Sequence, residues 1–293
     1  MHHAWLLTGK EGLGKAQFAK AAARELLGGG AEHHPDIIEL THGAKDDKEE
    51  RKRAEGKAFE RARSIRIAQI RAMQKRLTVR PTIGDKRAII VDPADDLERS
   101  AANALLKSLE EPPTGTIFLL VSHKPARLLP TIRSRCRTIR FPVLTDEQMS
   151  QIVARAAPEA DKETRSAAVT AAAGSPGAAL SFVRLDLGKA GALMKSILDK
   201  GDRGFALRGA LAGIIGNRPD RERLQGVLDL ARSTLAERLT AVAHAPDPVI
   251  DAYQELVRLT GEIQTYNYDP GLLAMEIGTL LAKAGAASET ADG

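Results

Sequence analysis

Two stretches of this 293-residue chain hold residues at spacings that phosphate chemistry uses. The first is Gly9–Ala16, GKEGLGKA. In the pattern G-x-x-x-x-G-K-[ST], glycines let backbone N–H groups approach phosphate oxygens. The Lys reaches the β/γ-phosphates, and the Ser/Thr hydroxyl holds magnesium. Here Gly9, Gly14 and Lys15 fill the fixed positions and Gly12 adds a third glycine, but Ala16 stands where the hydroxyl belongs. A methyl group cannot ligate a metal. The second stretch, RAIIVDPADD, supplies Asp92 at the end of an apolar run, the place of the acid that holds the metal. The next position normally carries a Glu that orients the attacking water. Here it is Pro93, which can neither accept a proton nor orient water. Asp95 and Asp96 are the alternative acids, and both lie past the strand end. Two independent losses, Ala16 and Pro93, point to a phosphate loop that has given up hydrolysis. Gly12, Gly14 and Lys15 leave room for weak residual binding of ATP or ADP.

Other chemistries are poorly served. The single cysteine, Cys136, cannot form an internal disulfide or a Cys-rich zinc site, and it fits a reducing, cytosolic setting. His33 and His34 are adjacent and point different ways. With His42 they find no supporting cysteine or acidic cluster, so zinc is rejected. Lys and Arg number 43 against 38 acids, a net +5, which is compatible with a nucleic-acid neighbour. Aromatics are only 3%, which disfavours a base-stacking single-strand binder. No apolar run reaches the length of a membrane span.

The elements that must position these residues alternate. Strands are expected at Ala4–Thr8, Asp36–Leu40, Arg87–Asp92, Thr116–Ser122 and Thr138–Phe141. The continuous apolar runs IIV and IFLLV suit a parallel sheet covered on both faces. Helical patterns fill Ala16–Leu27 (Phe18, Ala22 and Leu26 at four-residue spacing), Ile67–Leu77 (Ile67, Ile70, then Met73 or Gln74) and Ala101–Glu110 (Ala101, Leu105 and Leu109 on one face). Strand–helix alternation implies a doubly wound α/β layer fold. Between Lys45 and Arg66 lie fifteen charged residues of mixed sign, read as a solvated insertion, either a mobile loop or an exposed helix. Pro142 closes the α/β part. Thr145–Glu147 is a helix start, with Thr as N-cap and acids in the first turn. Ser175–Pro176 reads as another helix start. Further on, Leu224, Val227, Leu228, Ala231, Leu235, Leu239 and Val242 follow a helical step. A last helix begins after Asp269–Pro270, and the tail Ala286–Gly293 is small and polar. The expected organisation is α/β plus all-α: an α/β domain over 1–142, a small helical domain over 143–187 and a larger helical domain over 188–293.

Asp92–Pro113 reads DPADDLERSAANALLKSLEEPP, followed by TIFLLVS and then RLLPTIRSRCRTIRF. Together these resemble a clamp-loader subunit of the AAA+ class. The opening HAWLLTG, the HPD at His34–Asp36 and the degenerate phosphate loop narrow the resemblance to the δ′ family of bacterial DNA polymerase III. It is strong over about 1–185 and weaker beyond. It implies an AAA+ phosphate-loop domain with a parallel sheet, a helical lid (143–187) and a C-terminal helical collar (188–293). It also implies a non-hydrolysing stator in a five-subunit ring that opens a sliding clamp and places it on primed DNA. The partners implied are the γ/τ-type ATPase subunits and δ; no cofactor is required, and the setting is cytoplasmic. The motif Ser134–Arg135–Cys136 would present Arg135 in trans, where a guanidinium stabilises charge on a neighbour's γ-phosphoryl group. The competing reading makes Arg135 one of five arginines, with Arg127, Arg133, Arg137 and Arg140, on a basic surface. Active relatives carry G-S-x-R at the start of a lid helix; here Gly174–Gly177 reads GSPG, with Gly177 in the arginine's place. Ser122 falls where relatives place a polar residue near the γ-phosphate. The sequence departs from the family in lacking the four zinc-binding cysteines, and in starting about a helix late, as a truncated or mis-started frame would. The alternative function is an active ATPase of the γ/τ kind, or another AAA+ DNA-remodelling motor.

Overall fold

The computed structural model describes residues 2–29, 33–241, 247–263 and 266–289. Val242, the end of the tail (290–293) and residues 30–32 lie outside the described residues. The chain forms two units, Met1–Val143 and Leu144–Gly293.

In the first unit, strands β1 (Ala4–Thr8), β2 (Ile37–Leu40), β3 (Arg87–Val91), β4 (Thr116–Ser122) and β5 (Arg137–Arg140) form one sheet in the order β2-β3-β4-β1-β5. Every neighbouring pair is parallel. Parallel pairing needs crossovers, and helices supply them: α1 (Lys15–Leu26), α2 (Asp47–Ala54), α3 (Ile67–Leu77), α4 (Arg99–Glu110) and the short α5 (Pro130–Arg133). The strands are expected at these places; their bounds differ by one residue at β2, β3 and β5.

Side chains alternate across the sheet. Leu7, Ala88, Ile90, Ile117, Leu119 and Val121 pack with Ala19 and Ala23 of α1. Leu6, Ile89, Val91, Phe118 and Leu120 pack on the other face with Ile70 and Met73 of α3 and Leu105 and Leu109 of α4. Both faces being covered explains why β3 and β4 carry no polar alternation. The buried stripe of α1 is Lys15, Ala19 and Ala23 rather than the Phe18, Ala22, Leu26 row. Small alanines let the helix lie close to the sheet, while Phe18 stays 44% exposed and meets the Phe141 ring edge-on at 5.4 Å.

The charged insertion is more ordered than its composition suggests. Asp46 caps α2 by accepting from the Glu49 amide at 3.0 Å. Glu49 is itself buried and accepts from Lys52 Nζ and the Glu60 amide, each at 2.7 Å. The return segment docks through Ala62 and a fully buried Ile65, whose amide donates to Asp96 O at 2.8 Å. Of the two expected forms, α2 is the exposed helix, with Glu49 its only buried residue, and a mobile loop is the wrong picture, because a buried carboxylate satisfied by a backbone N–H leaves no trace in a charge count.

The second unit holds α6 (Asp146–Ala156), α7 (Lys162–Ala172), α8 (Pro176–Arg184), α9 (Gly188–Lys200), α10 (Ala206–Ile215), α11 (Arg221–Ala241), α12 (Asp247–Glu262) and α13 (Pro270–Glu289). Thr145 and Gln148 form a capping box, each side chain accepting from the other's amide. One core runs from Met149 of α6 to Ala284 of α13 and includes Leu224, Val227, Leu228, Ala231 and Leu235. Gly285 allows α13 to meet α9, since a Cβ there would sit 1.9 Å from Leu198 O.

Candidate functional site

The carboxyl ends of β1, β3 and β4 lie side by side in the sheet, the edge where open parallel sheets bind ligands. The phosphate loop leaves β1. At Gly9 the backbone has φ +149°, and a Cβ would lie 2.5 Å from Phe141 O, so only glycine passes the end of β5. Gly12 and Gly14 both take φ near 79°, in the left-handed region that glycine tolerates. Gly14 is the N-cap of α1, and its lack of a side chain leaves the first helical N–H groups without a side-chain acceptor.

Lys15 opens α1 and is 2% exposed. Its Nζ donates to Gly9 O at 2.7 Å and Lys10 O at 2.6 Å. Burial lowers its pKa, and the charges of Glu11, Asp92 and Asp95 partly oppose that. The glycine-rich loop and the ammonium fit phosphate oxygens, whereas Ala16 offers magnesium no hydroxyl and Pro93 offers an attacking water no acceptor, which leaves Asp92 alone of the motif's metal-side groups. Among the described residues, no group of three or more His, Cys, Asp or Glu could hold a metal.

Asp92 follows β3, and its amide donates to Leu40 O at 2.9 Å. Burial raises its carboxyl pKa, opposed by His123, Lys20 and Lys15. The two alternative acids are engaged elsewhere. Asp95 accepts from the Ser122 hydroxyl at 2.6 Å, the His123 amide at 2.5 Å and the Lys124 amide at 3.2 Å. Asp96 pairs with His42 Nε2 at 3.1 Å, and that hydrogen bond lowers its pKa against the effect of burial. Ser122, fully buried at the end of β4, therefore donates its hydroxyl hydrogen bond to Asp95.

On the other motif, Arg135 lies between α5 and β5 and is 34% exposed. Its Nη1 donates to Thr131 O at 2.8 Å and lies 3.5 Å from Ser134 Oγ. Its Nη2 meets Glu110 Oε1 at 2.6 Å. Arg127, Arg133, Arg137 and Arg140 are exposed, so Arg135 differs from them in being anchored at two nitrogens. Ser134 is exposed, its hydroxyl donating to Thr131 O at 3.1 Å. Cys136 packs against the apolar core, and burial pushes its thiol up to about 11. In the second unit Gly177 is the second residue of α8, whose N-cap Ser175 accepts from the Ala178 amide at 3.3 Å.

Three polar groups make contacts that the sequence does not announce, two of them in the HAW and HPD runs. Glu110 was visible only as part of the LEEPP run. His3 donates from Nε2 to Leu109 O at 2.8 Å, so the HAW segment ties β1 to the end of α4. Asp36 of the HPD run is fully buried and accepts from the Thr82 and Ile83 amides, both at 2.8 Å. Runs of mixed polar and apolar letters around strand ends were the available signal, but the partners lie up to 106 residues away.

A five-stranded parallel sheet with a phosphate loop at its carboxyl edge, in a chain whose second unit is helical, defines a protein of AAA+ architecture. A solved DNA polymerase III gamma subunit-related protein of Thermotoga maritima shares the fold, with a TM-score of 0.51 and 19% identity over 97% of this chain and 96% of that one. The family model described as DNA polymerase III, delta subunit, matches residues 1–145, about half of the chain. The delta-prime subunit of DNA polymerase III from Pseudomonas aeruginosa is 33% identical over 191 residues, 59% of this chain and 53% of that protein. Its counterpart from Bacillus subtilis is 34% identical over 157 residues, 48% of this chain and 42% of that protein. The chain thus matches about half the length of these relatives.

Proposed function

We propose that this chain is a clamp-loader subunit of DNA polymerase III that does not hydrolyse ATP and that lends Arg135 to a neighbouring ATPase subunit. The carrying observation is the contrast between its two motifs. The phosphate loop keeps its glycines and Lys15, yet Ala16 and Pro93 lack the groups for metal and water, and Asp95 and Ser122 are bonded to each other. Arg135, by contrast, is a permanently charged fork, partly exposed and anchored at two nitrogens. That arrangement suits a group that acts on a phosphate brought by another chain.

The partners in this reading are γ/τ-type ATPase subunits and δ, with the sliding clamp and primed DNA as the loader's substrates. Residues 143–187 act as the lid and 188–293 as the collar that joins the ring. Gly177 in the lid removes a second γ-phosphate contact. The +5 charge fits an assembly that touches DNA phosphates, whose affinity falls with salt.

The test is ATP hydrolysis by the purified chain, alone and then mixed with its ATPase partners, δ, clamp and primed DNA. The reading expects no turnover alone and robust turnover in the mixture. Robust turnover by the chain alone would instead favour an active γ/τ-like ATPase or another motor.

A further inference from the structure

We infer that Glu110 is a positioning residue for Arg135, an inference that rests on the trans role proposed above. Glu110 is the last residue of α4. A carboxylate there faces the negative end of the helix dipole, so helix formation gives no reason for an acid at that position. Its Oε1 lies 2.6 Å from Arg135 Nη2. Thr131 O holds Nη1 of the same guanidinium at 2.8 Å. A guanidinium is planar, so anchoring two of its nitrogens sets the plane of the whole fork and leaves other N–H groups for a partner. The anchor is itself fixed. His3 Nε2 donates to Leu109 O at 2.8 Å, and the Phe118 amide donates to His3 O at 2.7 Å. The end of α4 that carries Glu110 is thereby tied to the central strand β4. The sequence runs HAW, LEEPP and SRC, the first two joined by a hydrogen bond across 106 positions, converge on one contact chain: His3, Leu109, Glu110, Arg135.

An exposed ion pair contributes little to stability. Glu110, with 48% of its side chain exposed, should therefore matter for where Arg135 sits rather than for folding. A group held in the geometry that a transition state needs avoids reorganisation when charge develops.

The experiment uses the complete loader, reconstituted with wild-type or variant chain, on clamp and primed DNA. Rapid mixing follows phosphate release, so the site beside this chain appears as its own phase. Glu110→Ala should slow that phase by about threefold to fivefold, the scale an exposed ion pair supports, without changing ATP affinity or the urea midpoint of the free chain. In the Arg135→Ala background, adding Glu110→Ala should slow nothing further. An unchanged or faster phase in Glu110→Ala would overturn the inference, as would an equal further slowing in the double variant. Should Glu110→Ala fail to assemble, Glu110→Gln carries the same test, with a fall of about twofold expected and none contradicting it. Loss of the trans role looks different: there Arg135→Ala itself leaves the phase unchanged, and the inference falls with it.

Discussion

Removing the Asp95 carboxylate should destabilise the first unit by an amount its contacts fix. Three donors converge on it: Ser122 Oγ at 2.6 Å, the His123 amide at 2.5 Å and the Lys124 amide at 3.2 Å. Ser122 is 0% exposed, so in Asp95→Ala its buried hydroxyl loses the acceptor that the structure gives it. A buried donor left unpaired costs about 1–3 kcal/mol, and hydrogen bonds to a charged group are worth about 1.5–3 kcal/mol each. The His123 and Lys124 amides are less deeply buried and recover part of their loss to water. A total near 3 kcal/mol follows for Asp95→Ala. Asp95→Asn retains an acceptor oxygen for the amides and an NH2 that can donate to Ser122 Oγ, so about 1 kcal/mol is expected. Urea unfolding reads both, because Trp5 is the chain's one tryptophan and lies in β1 of the first unit. With a slope of about 2 kcal/mol/M, the alanine variant should lower the midpoint by about 1.5 M and the asparagine variant by about 0.5 M. An alanine variant with the wild-type midpoint would refute the reasoning, as would an asparagine variant as unstable as alanine.

Other outcomes follow from single contacts. Gly285→Ala should destabilise the second unit by about 1–3 kcal/mol, since its Cβ would lie 1.9 Å from a backbone oxygen of α9 that cannot rotate away; circular-dichroism melts read the loss. Asp36 resists the effect of its burial because the Thr82 and Ile83 amides and Arg87 hold its carboxyl below its usual pKa. Its contribution is therefore present above the unfolded value, about 3.9, and is lost as pH falls through the lower folded value. Stability of Asp36→Asn measured from pH 6 down to pH 2, pH values chosen to be about two units either side of that reference, should fall less steeply than wild type. Cys136, pushed by burial to about 11 from 9.0, should alkylate with iodoacetamide about a hundredfold more slowly than an exposed thiol at pH 8, a pH below both values. Unfolding in urea should restore the ordinary rate.

The sheet was legible because its signal is local: the buried runs of β3 and β4 are continuous in the sequence, and the glycines of Gly9–Gly14 announce the turn between β1 and α1. The stripe of α1 was harder to place. Phe18, Ala22 and Leu26 are also one turn apart, and periodicity cannot say which neighbouring row meets the sheet. Close approach selected the smaller residues, Ala19 and Ala23. The departures from the motifs at Ala16, Pro93 and Gly177 could be read letter by letter, because each is a side chain that lacks the group the motif carries there. The positive contacts could not. Asp95 with Ser122, Glu49 with the Glu60 amide, and Glu110 with Arg135 join residues 27, 11 and about 25 positions apart, and pairing of that kind is decided by the fold rather than by local pattern. Charge composition misled most in the insertion, where Glu49 is buried and serves as an internal cap.

The central claim is that Arg135 completes an active site on another chain. Its most direct test is phosphate release from the assembled loader carrying Arg135→Ala, with assembly and clamp binding verified beforehand. The account predicts that the phase belonging to the neighbouring site slows by about a thousandfold or more, the scale of a lost arginine finger, while the remaining sites keep their rates. Release from that site at the wild-type rate, in a correctly assembled variant complex, would contradict it.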